Sequence, residues 1–327
     1  MDPHANRSTP PESQKEWRLI EKLVLTMQDE QRKQRRWSIF FRFATLGYLL
    51  LMLVLFLPLR LGFSGAAAPT LTPHVALVDL SGMIAPGAEA NADALTGGLR
   101  RAFEAEHSKA VLLRINSPGG SPVQSGYVYR EIQRLRDKHP DKKLYAVITD
   151  LGASGAYYIA AAADEIYVDP ASIVGSIGVI MAGFGFTEAM DKLGIERRVQ
   201  TAGESKALLD PFQPVQEGDR EHFQLMLDEV HGQFIDAVKQ GRGERLQSDG
   251  HPELFSGLVW SGAKAVELGL ADGFGSAGSV ARDVVGVEEV VDYTVTPNPF
   301  ERLLGGFGVS VGQGLGQALG LQGPGLR

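Results

Sequence analysis

The sequence predicts an α/β domain with a mostly parallel sheet, preceded by a single transmembrane helix. Three observations carry that reading. From Val75 onward, short apolar runs rich in Val, Ile and Leu alternate with helix-favouring stretches, a pattern that places helical crossovers between parallel strands. Two of those runs end in glycine- and serine-bearing turns, Ser117-Pro118-Gly119-Gly120 and Gly152-Ala153-Ser154-Gly155. Ahead of the alternating region, Trp37 to Leu59 is apolar over 23 residues apart from Arg42.

The amino-terminal third divides by composition. Residues 1–36 form a polar, basic segment that opens Pro- and Ser-containing and closes on QRKQRR. Residues 37–59 are long enough to cross a bilayer core of roughly 30 Å, with Arg42 near the start, where its stem can snorkel. Some 36 residues precede the span, which fits a cleavable signal peptide poorly, although Gly65 to Ala68 leave processing there open. Arg32, Lys33, Arg35 and Arg36 lie just before the span and only Arg60 lies close after it. The positive-inside rule then keeps the amino terminus cytoplasmic and exports the rest, a single-pass anchor with a large external domain.

The main body is acidic. Residues 1–60 carry ten Lys/Arg and six Asp/Glu, whereas the remaining 267 carry 22 and 33. That balance argues against nucleic acid as the principal partner. The chain has no cysteine, which excludes disulfides, thiolate catalysis and cysteine-ligated metal.

After a linker at 60–74, the domain is expected over 75–296. Strands are expected at Val75–Leu80, Ala110–Asn116, Tyr145–Thr149 and Glu165–Val168, with Ile173–Ile180 extended. Helices are expected over Asn91–His107 and from Ser121 as cap to about Lys138, with Val123, Tyr127, Ile132 and Leu135 as apolar positions. Further helices follow at Tyr157–Ala163, Glu188–Leu193, Glu217–Gln240 and Trp260–Leu270. The long one carries an apolar stripe of Phe223, Leu227, Val230, Phe234 and Val238. A strand at Val287–Val295 closes the domain, and 297–327 is a Gly/Leu-rich flexible tail.

Ser154 stands at a strand-to-helix turn among small residues, where a nucleophile gains close substrate approach and the positive end of a helix. The competing role is an ordinary N-cap. A base is needed. Among the seven histidines, an order of Ser154, Asp210 and His222 is formally that of an α/β-hydrolase triad, but neither partner has a strand-end context. Lys206, in TAGESKALLDPFQP, stands among small and apolar neighbours, and a desolvated lysine can act as general base; a solvated surface lysine is the alternative. Gly119-Gly120 offers unencumbered N–H groups for an oxyanion, or is a tight turn.

Taken in order, RINSPGGSP, DLGASGAYYIAAAADEIY, GSIGVI and AGESKALLDPF resemble the signal peptide peptidase SppA family in its short, one-domain bacterial form. LVWSGAKAVELGLADGFG is similar to that family's closing motif, and SohB-type relatives share these motifs. The resemblance covers roughly Val75 to Tyr293. It implies a ClpP/crotonase-like fold and a membrane-anchored serine peptidase with a Ser–Lys dyad. By position it implies Ser154 as nucleophile, Lys206 as general base and Ser176 as the residue holding the lysine. It implies the N–H groups of Gly120 and Gly155 as oxyanion donors, and departs from the family at Ala156, where a second glycine is frequent. No cofactor or metal is implied.

The expected substrates are apolar peptides such as cleaved signal peptides, and activity is expected to rise toward alkaline pH because the uncharged lysine is the active form. The resemblance also implies a homo-oligomer, an octamer in the simplest version, with the lysine of one subunit serving the serine of its neighbour. The tail stretch Leu303–Leu321 has signal-peptide character and is a candidate for self-processing, with a role-free end as the rival. Two other classes stay open: a crotonase-like acyl-CoA enzyme, and a catalytically silent membrane scaffold.

Overall fold

The computed structural model describes residues 32–33, 35–52 and 71–295, which fall into two units divided after Ser64. In the first unit, residues 35–52 are helical and exposed. Among the described residues no helix is long and apolar enough to cross a membrane. This differs from the predicted span for a plain reason: Arg35, Arg36 and Arg42 all fall within the described helix, and residues 53–59 lie outside the described residues. The expected tail from 297, and the self-processing stretch within it, also lie outside them.

The second unit is an α/β domain around one sheet, in the order β6-β5-β3-β2-β1-β8. Its first strands are β1 (His74–Ser81), β2 (Ser108–Ser117) and β3 (Leu144–Ala153), all mutually parallel. Beyond them come β4 (Glu165–Val168), β5 (Ile173–Gly175), β6 (Val259–Ser261), β7 (Gly273–Phe274) and β8 (Val290–Asp292). Every pairing is parallel except β5 with β6. This mixed α/β architecture fits a ClpP/crotonase-like fold.

Both faces of the sheet are covered, so its central strands are apolar nearly throughout. Ala76, Val78 and Leu80 of β1 face the larger core, with Val111, Leu113 and Ile115 of β2 beside them. Helices α1 (Ala92–Glu104) and α2 (Pro122–Lys138) close that side with Leu95, Leu99, Phe103, Val128, Ile132 and Leu135. Val75, Leu77, Ala110, Leu112, Tyr145 and Val147 face the opposite side, where Val280 and Ala281 cover them. The alternation of side chains along each strand thus serves two separate cores.

The sheet forks at β3. Residues Tyr145 to Ile148 pair with β4, whereas Leu151 to Ala153 pair with β5. The Ser172 hydroxyl bonds both carbonyls at the fork, those of Ile148 and Thr149. Strand β3 therefore runs four residues past Thr149, the expected end of its apolar run, because the fork supplies partners for that end. Helix α3 (Gly155–Ala160) starts at the very end of this strand and is shorter than the Ala-rich stretch suggests.

Other departures are local. Trp260 belongs to β6, which pairs with β5, and only Gly262–Glu267 is helical where a helix over 260–270 was expected. Helix α4 here denotes Glu217–Arg242; its stripe is buried only at Phe234 and Val238, and Thr187–Leu193 forms a separate exposed turn of helix. The closing strand shrinks to three residues after a π-helical segment at Val280–Val285.

A buried ion pair fixes the lower end of the sheet. Arg242 is fully buried, and its Nη1 and Nη2 donate to Asp272 at 2.8 and 2.9 Å. Asp272 also accepts from the Ile166 N–H at 2.7 Å and from Arg245. Burial opposes ionisation of Asp272, but these donors outweigh it and hold the carboxyl below its ordinary value. Because the group titrates lower in the folded chain, its contribution is complete above the ordinary Asp value near 4 and is lost as pH falls below that. Asp272→Ala strands a buried guanidinium and should cost about 3 kcal/mol in urea unfolding at pH 7. The same variant should show a smaller stability loss between about pH 4 and pH 2 than wild type does.

Candidate active site

Ser154 sits where β3 ends and α3 begins, with φ 52° and ψ −127°. A positive φ is uncommon for any residue bearing a Cβ and carries strain at functional turns. The turn is held from both sides: the Ser154 N–H donates to the Gly175 carbonyl at 2.8 Å, and the Ser154 carbonyl accepts from Tyr158 at 3.0 Å. Although Ser154 occupies the N-cap position, its side chain makes no capping bond. The hydroxyl is therefore left to the cleft, and the N-cap role weighed from the sequence is not the one it plays.

Two backbone loops converge on this hydroxyl. The Gly119-Gly120 loop is stitched to Ile84 by Ile84 N–H to Gly119 carbonyl and Ser121 N–H to Ile84 carbonyl, each 2.8 Å. Gly119 has φ 90°, and a Cβ there would lie 2.6 Å from the Gly155 nitrogen and 2.8 Å from the Ser154 Cβ. Gly120 has φ 149°, and a Cβ there would run into the Ile84 carbonyl. The N–H groups of Gly120 and Gly155 both border the cleft, and among the described residues neither is taken by another acceptor. Gly155 opens a helix, where the first N–H groups have no partner within it. Ser121 caps α2 by accepting from Gln124, so that helix too begins at the cleft.

The cleft encloses about 420 Å³, bounded by α2, the Ser154 turn, residues 178–180 and α4. Val123 and Tyr127 are two of the four apolar positions read on this helix from the sequence, where burial would be the ordinary outcome. They are instead more than half exposed and line the cleft, while Val128 and Tyr129 take the buried positions. Tyr158 stacks on Tyr129 at 5.1 Å and meets Phe234 edge-on at 5.0 Å, joining three helices behind the cleft. Burial raises the Tyr158 phenol, and the nearby Arg130 guanidinium opposes that shift. Arg130, Tyr158 and Ile180 were not singled out from the sequence. The available signal was the spacing of positions 123, 127 and 130 on one face of α2.

Ser176 lies one residue beyond Gly175, the register partner of Ala153, and it too has a positive φ of 53°. The structure thus brings together Ser154, Gly120 and Gly155 and sets Ser176 on the adjoining strand end. Lys206 is different. It lies on an exposed turn, does not line the cleft, and no hydrogen bond joins it to Ser154 within the chain. The histidine alternative is not assembled either: Asp210 pairs with Arg197 at 2.7 Å, and His222 is exposed beside Phe223. Among the described residues no cluster of three metal-ligating side chains occurs.

Residues 136–286 match the model of peptidase family S49. The Synechocystis protein slr0021 is 31% identical over 253 residues, 76% of this chain and 88% of that one. Protease 4 of Haemophilus influenzae is 31% identical over 206 residues, 62% of this chain and 33% of its own. The Na(+)/H(+) antiporter NhaA of Brucella abortus is 50% identical over 190 residues, 58% of this chain. The matched region spans a quarter of that antiporter's length. The match over most of the Synechocystis protein and the S49 model meet on the domain that carries Ser154, and the chain belongs to peptidase family S49.

Proposed function

We propose that the chain is a membrane-anchored serine endopeptidase that cleaves apolar peptides such as released signal peptides. The observation that carries this reading is the Ser154 turn: a strained serine, released from capping, faces an apolar cleft beside two unspent backbone N–H groups. In the reaction, Ser154 Oγ bonds to the substrate carbonyl carbon while a neutral Lys206 Nζ takes the hydroxyl proton. The carbonyl oxygen becomes an anion in reach of the Gly120 and Gly155 N–H groups. Collapse breaks the C–N bond, and the amine leaves with the proton from Lys206. Water, deprotonated by the same lysine, then hydrolyses the acyl-serine and returns the hydroxyl to Ser154.

Lys206 enters this scheme from a neighbouring copy, with Ser176 orienting it. Two observations support that arrangement. Lys206 is exposed on its own chain, and the surrounding segment displays Ile180, Phe184, Leu193, Ile195, Phe212 and Val215 to solvent. Apolar residues in such number on one segment are a surface that association would cover. A homo-oligomer, an octamer in the simplest version, is the proposed form. Residues 37–59 provide the anchor, with the amino terminus cytoplasmic and the domain on the outer side of a bacterial inner membrane. This rests on the charge asymmetry around the span.

A fluorophosphonate probe tests the nucleophile. Labelling of wild type at Ser154, absent in Ser154→Ala together with a fall in peptide cleavage of at least about a thousandfold, is the expected result. An unlabelled wild-type protein would leave the acyl-CoA and scaffold classes standing instead. Mixing tests the shared site. Ser154→Ala and Lys206→Ala proteins, each inactive alone, should regain partial activity when co-assembled, because some interfaces then hold one intact Ser154 and one intact Lys206. A verified hetero-oligomer without activity would place both residues within one chain.

A further inference from the structure

The cleft that holds Ser154 is lined by fifteen residues, of which Arg130 is the single charged one. The three other cations of α2 are all matched. Arg134 pairs with Glu131 at 2.7 Å, Arg136 pairs with Asp164, and Lys138 pairs with Glu104 at 3.3 Å. Glu131, adjacent in sequence, is turned away from Arg130 and is engaged by Arg134 and Arg100. The Arg134 hydrogen bond, with Arg100 adding to it against the effect of burial, holds the Glu131 carboxyl down at about 2. Arg130 itself has no carboxylate partner among the described residues.

The guanidinium is nevertheless positioned. Its central carbon stands 5.3 Å from the centre of the Tyr127 ring. A Cβ at Gly126 would lie 3.1 Å from Arg130 Nη1 and 3.6 Å from Tyr158 Cε1. The missing side chain at Gly126 leaves room for the guanidinium of the exposed Arg130, back toward the start of α2 and over the Tyr127 ring. Gly126 is four residues from Pro122, about 6 Å along the helix axis. An extended peptide advances about 3.3 Å per residue, so the cation stands within about two residues of the carbonyl beside Gly120. A guanidinium over an aromatic ring retains its planar fork for a carboxylate.

We propose that Arg130 is a specificity residue that recognises a peptide carboxylate within about two residues of the cleaved bond, in an otherwise apolar segment. The inference rests on the reading of this cleft as the peptidase site. The carboxylate has two sources, an Asp or Glu side chain or the free carboxyl terminus of the peptide. Either gives the enzyme a polarity filter: apolar peptides bind by area, and an anion sets which bond lies at Ser154.

The test uses the full chain and one apolar peptide scaffold carrying a single Glu, Gln or Lys at each of three positions on either side of the bond. A parallel set ends one or two residues past the bond as free acid or amide. Cleavage sites are read by mass spectrometry and kcat/KM by initial rates. Wild type should favour Glu over Gln about tenfold at one position, which identifies a side-chain anion, or acid over amide by a similar factor, which identifies the terminus. The ratio should fall to about one in Arg130→Gln and invert toward Lys in Arg130→Glu. Equal cleavage of charged and neutral peptides by wild type, or a preference that survives Arg130→Gln, overturns the proposal and leaves Arg130 a cover for Tyr127. Failure of the underlying reading looks different: cleavage persists in Ser154→Ala, or wild type cleaves no peptide, and the inference falls with it.

Discussion

The site depends on a close approach of backbone to backbone. Gly119 and Gly120 press against the Ser154 turn on one side and Ile84 on the other, at distances that no Cβ would allow. Gly155 presses in turn on the buried Ser125 hydroxyl. The interlock joins the ends of β1, β2 and β3, three strands that are already paired in parallel. Strand ends in a parallel sheet present loops on one side, and helices that follow begin there with unpaired N–H groups. Two such helices, α2 and α3, start at the cleft, so the Ser154 hydroxyl and the N–H groups of Gly120 and Gly155 arrive together without a side chain being needed to hold them.

The fork in β3 serves the same end. A strand that kept one neighbour throughout would carry its polar end out of the sheet. By changing partners from β4 to β5, β3 stays paired as far as Ala153, and the next residue takes the strained conformation. The strain is contained by ordinary bonds, from the Ser154 N–H to Gly175 and from Tyr158 to the Ser154 carbonyl. Ser176 repeats the positive φ one strand over, with its N–H bonded to the Leu258 carbonyl at 2.7 Å. Of the three non-glycine residues with positive φ among the described residues, Ser154, Ser176 and Leu209, two thus stand side by side at adjoining strand ends.

Away from the cleft, the domain is conventional in its energetics. Two apolar cores sandwich the sheet, and Arg242, the one fully buried charge among the described residues, is satisfied by a carboxylate and the Gly269 carbonyl. Helix α4 is anchored only at its carboxyl-terminal half, through Phe234, Ala237 and Val238. Its other half and the segment before it expose large apolar side chains. The buried half supplies the back of the cleft through Gln233 and Phe234.

The sequence by itself determined the first four strands, the order of the elements between them and the residues gathered at the Ser154 turn. Apolar runs bounded by glycine turns are local signals, and β4 and the cap at Ser121 fall where those signals put them. The motif resemblance added the pairing of roles among Ser154, Ser176 and Lys206, which no local pattern contains. Only the tertiary structure decided that Val123 and Tyr127 face a cleft, since an apolar residue on a helix carries no mark of whether protein or solvent lies opposite. The same holds for Trp260, whose strand exists because β5 needed a partner, and for Arg130, whose lack of an acid depends on Glu131 turning to Arg100 and Arg134. Which groups meet across hundreds of residues is set by packing, and packing is a property of the folded chain rather than of any stretch of it.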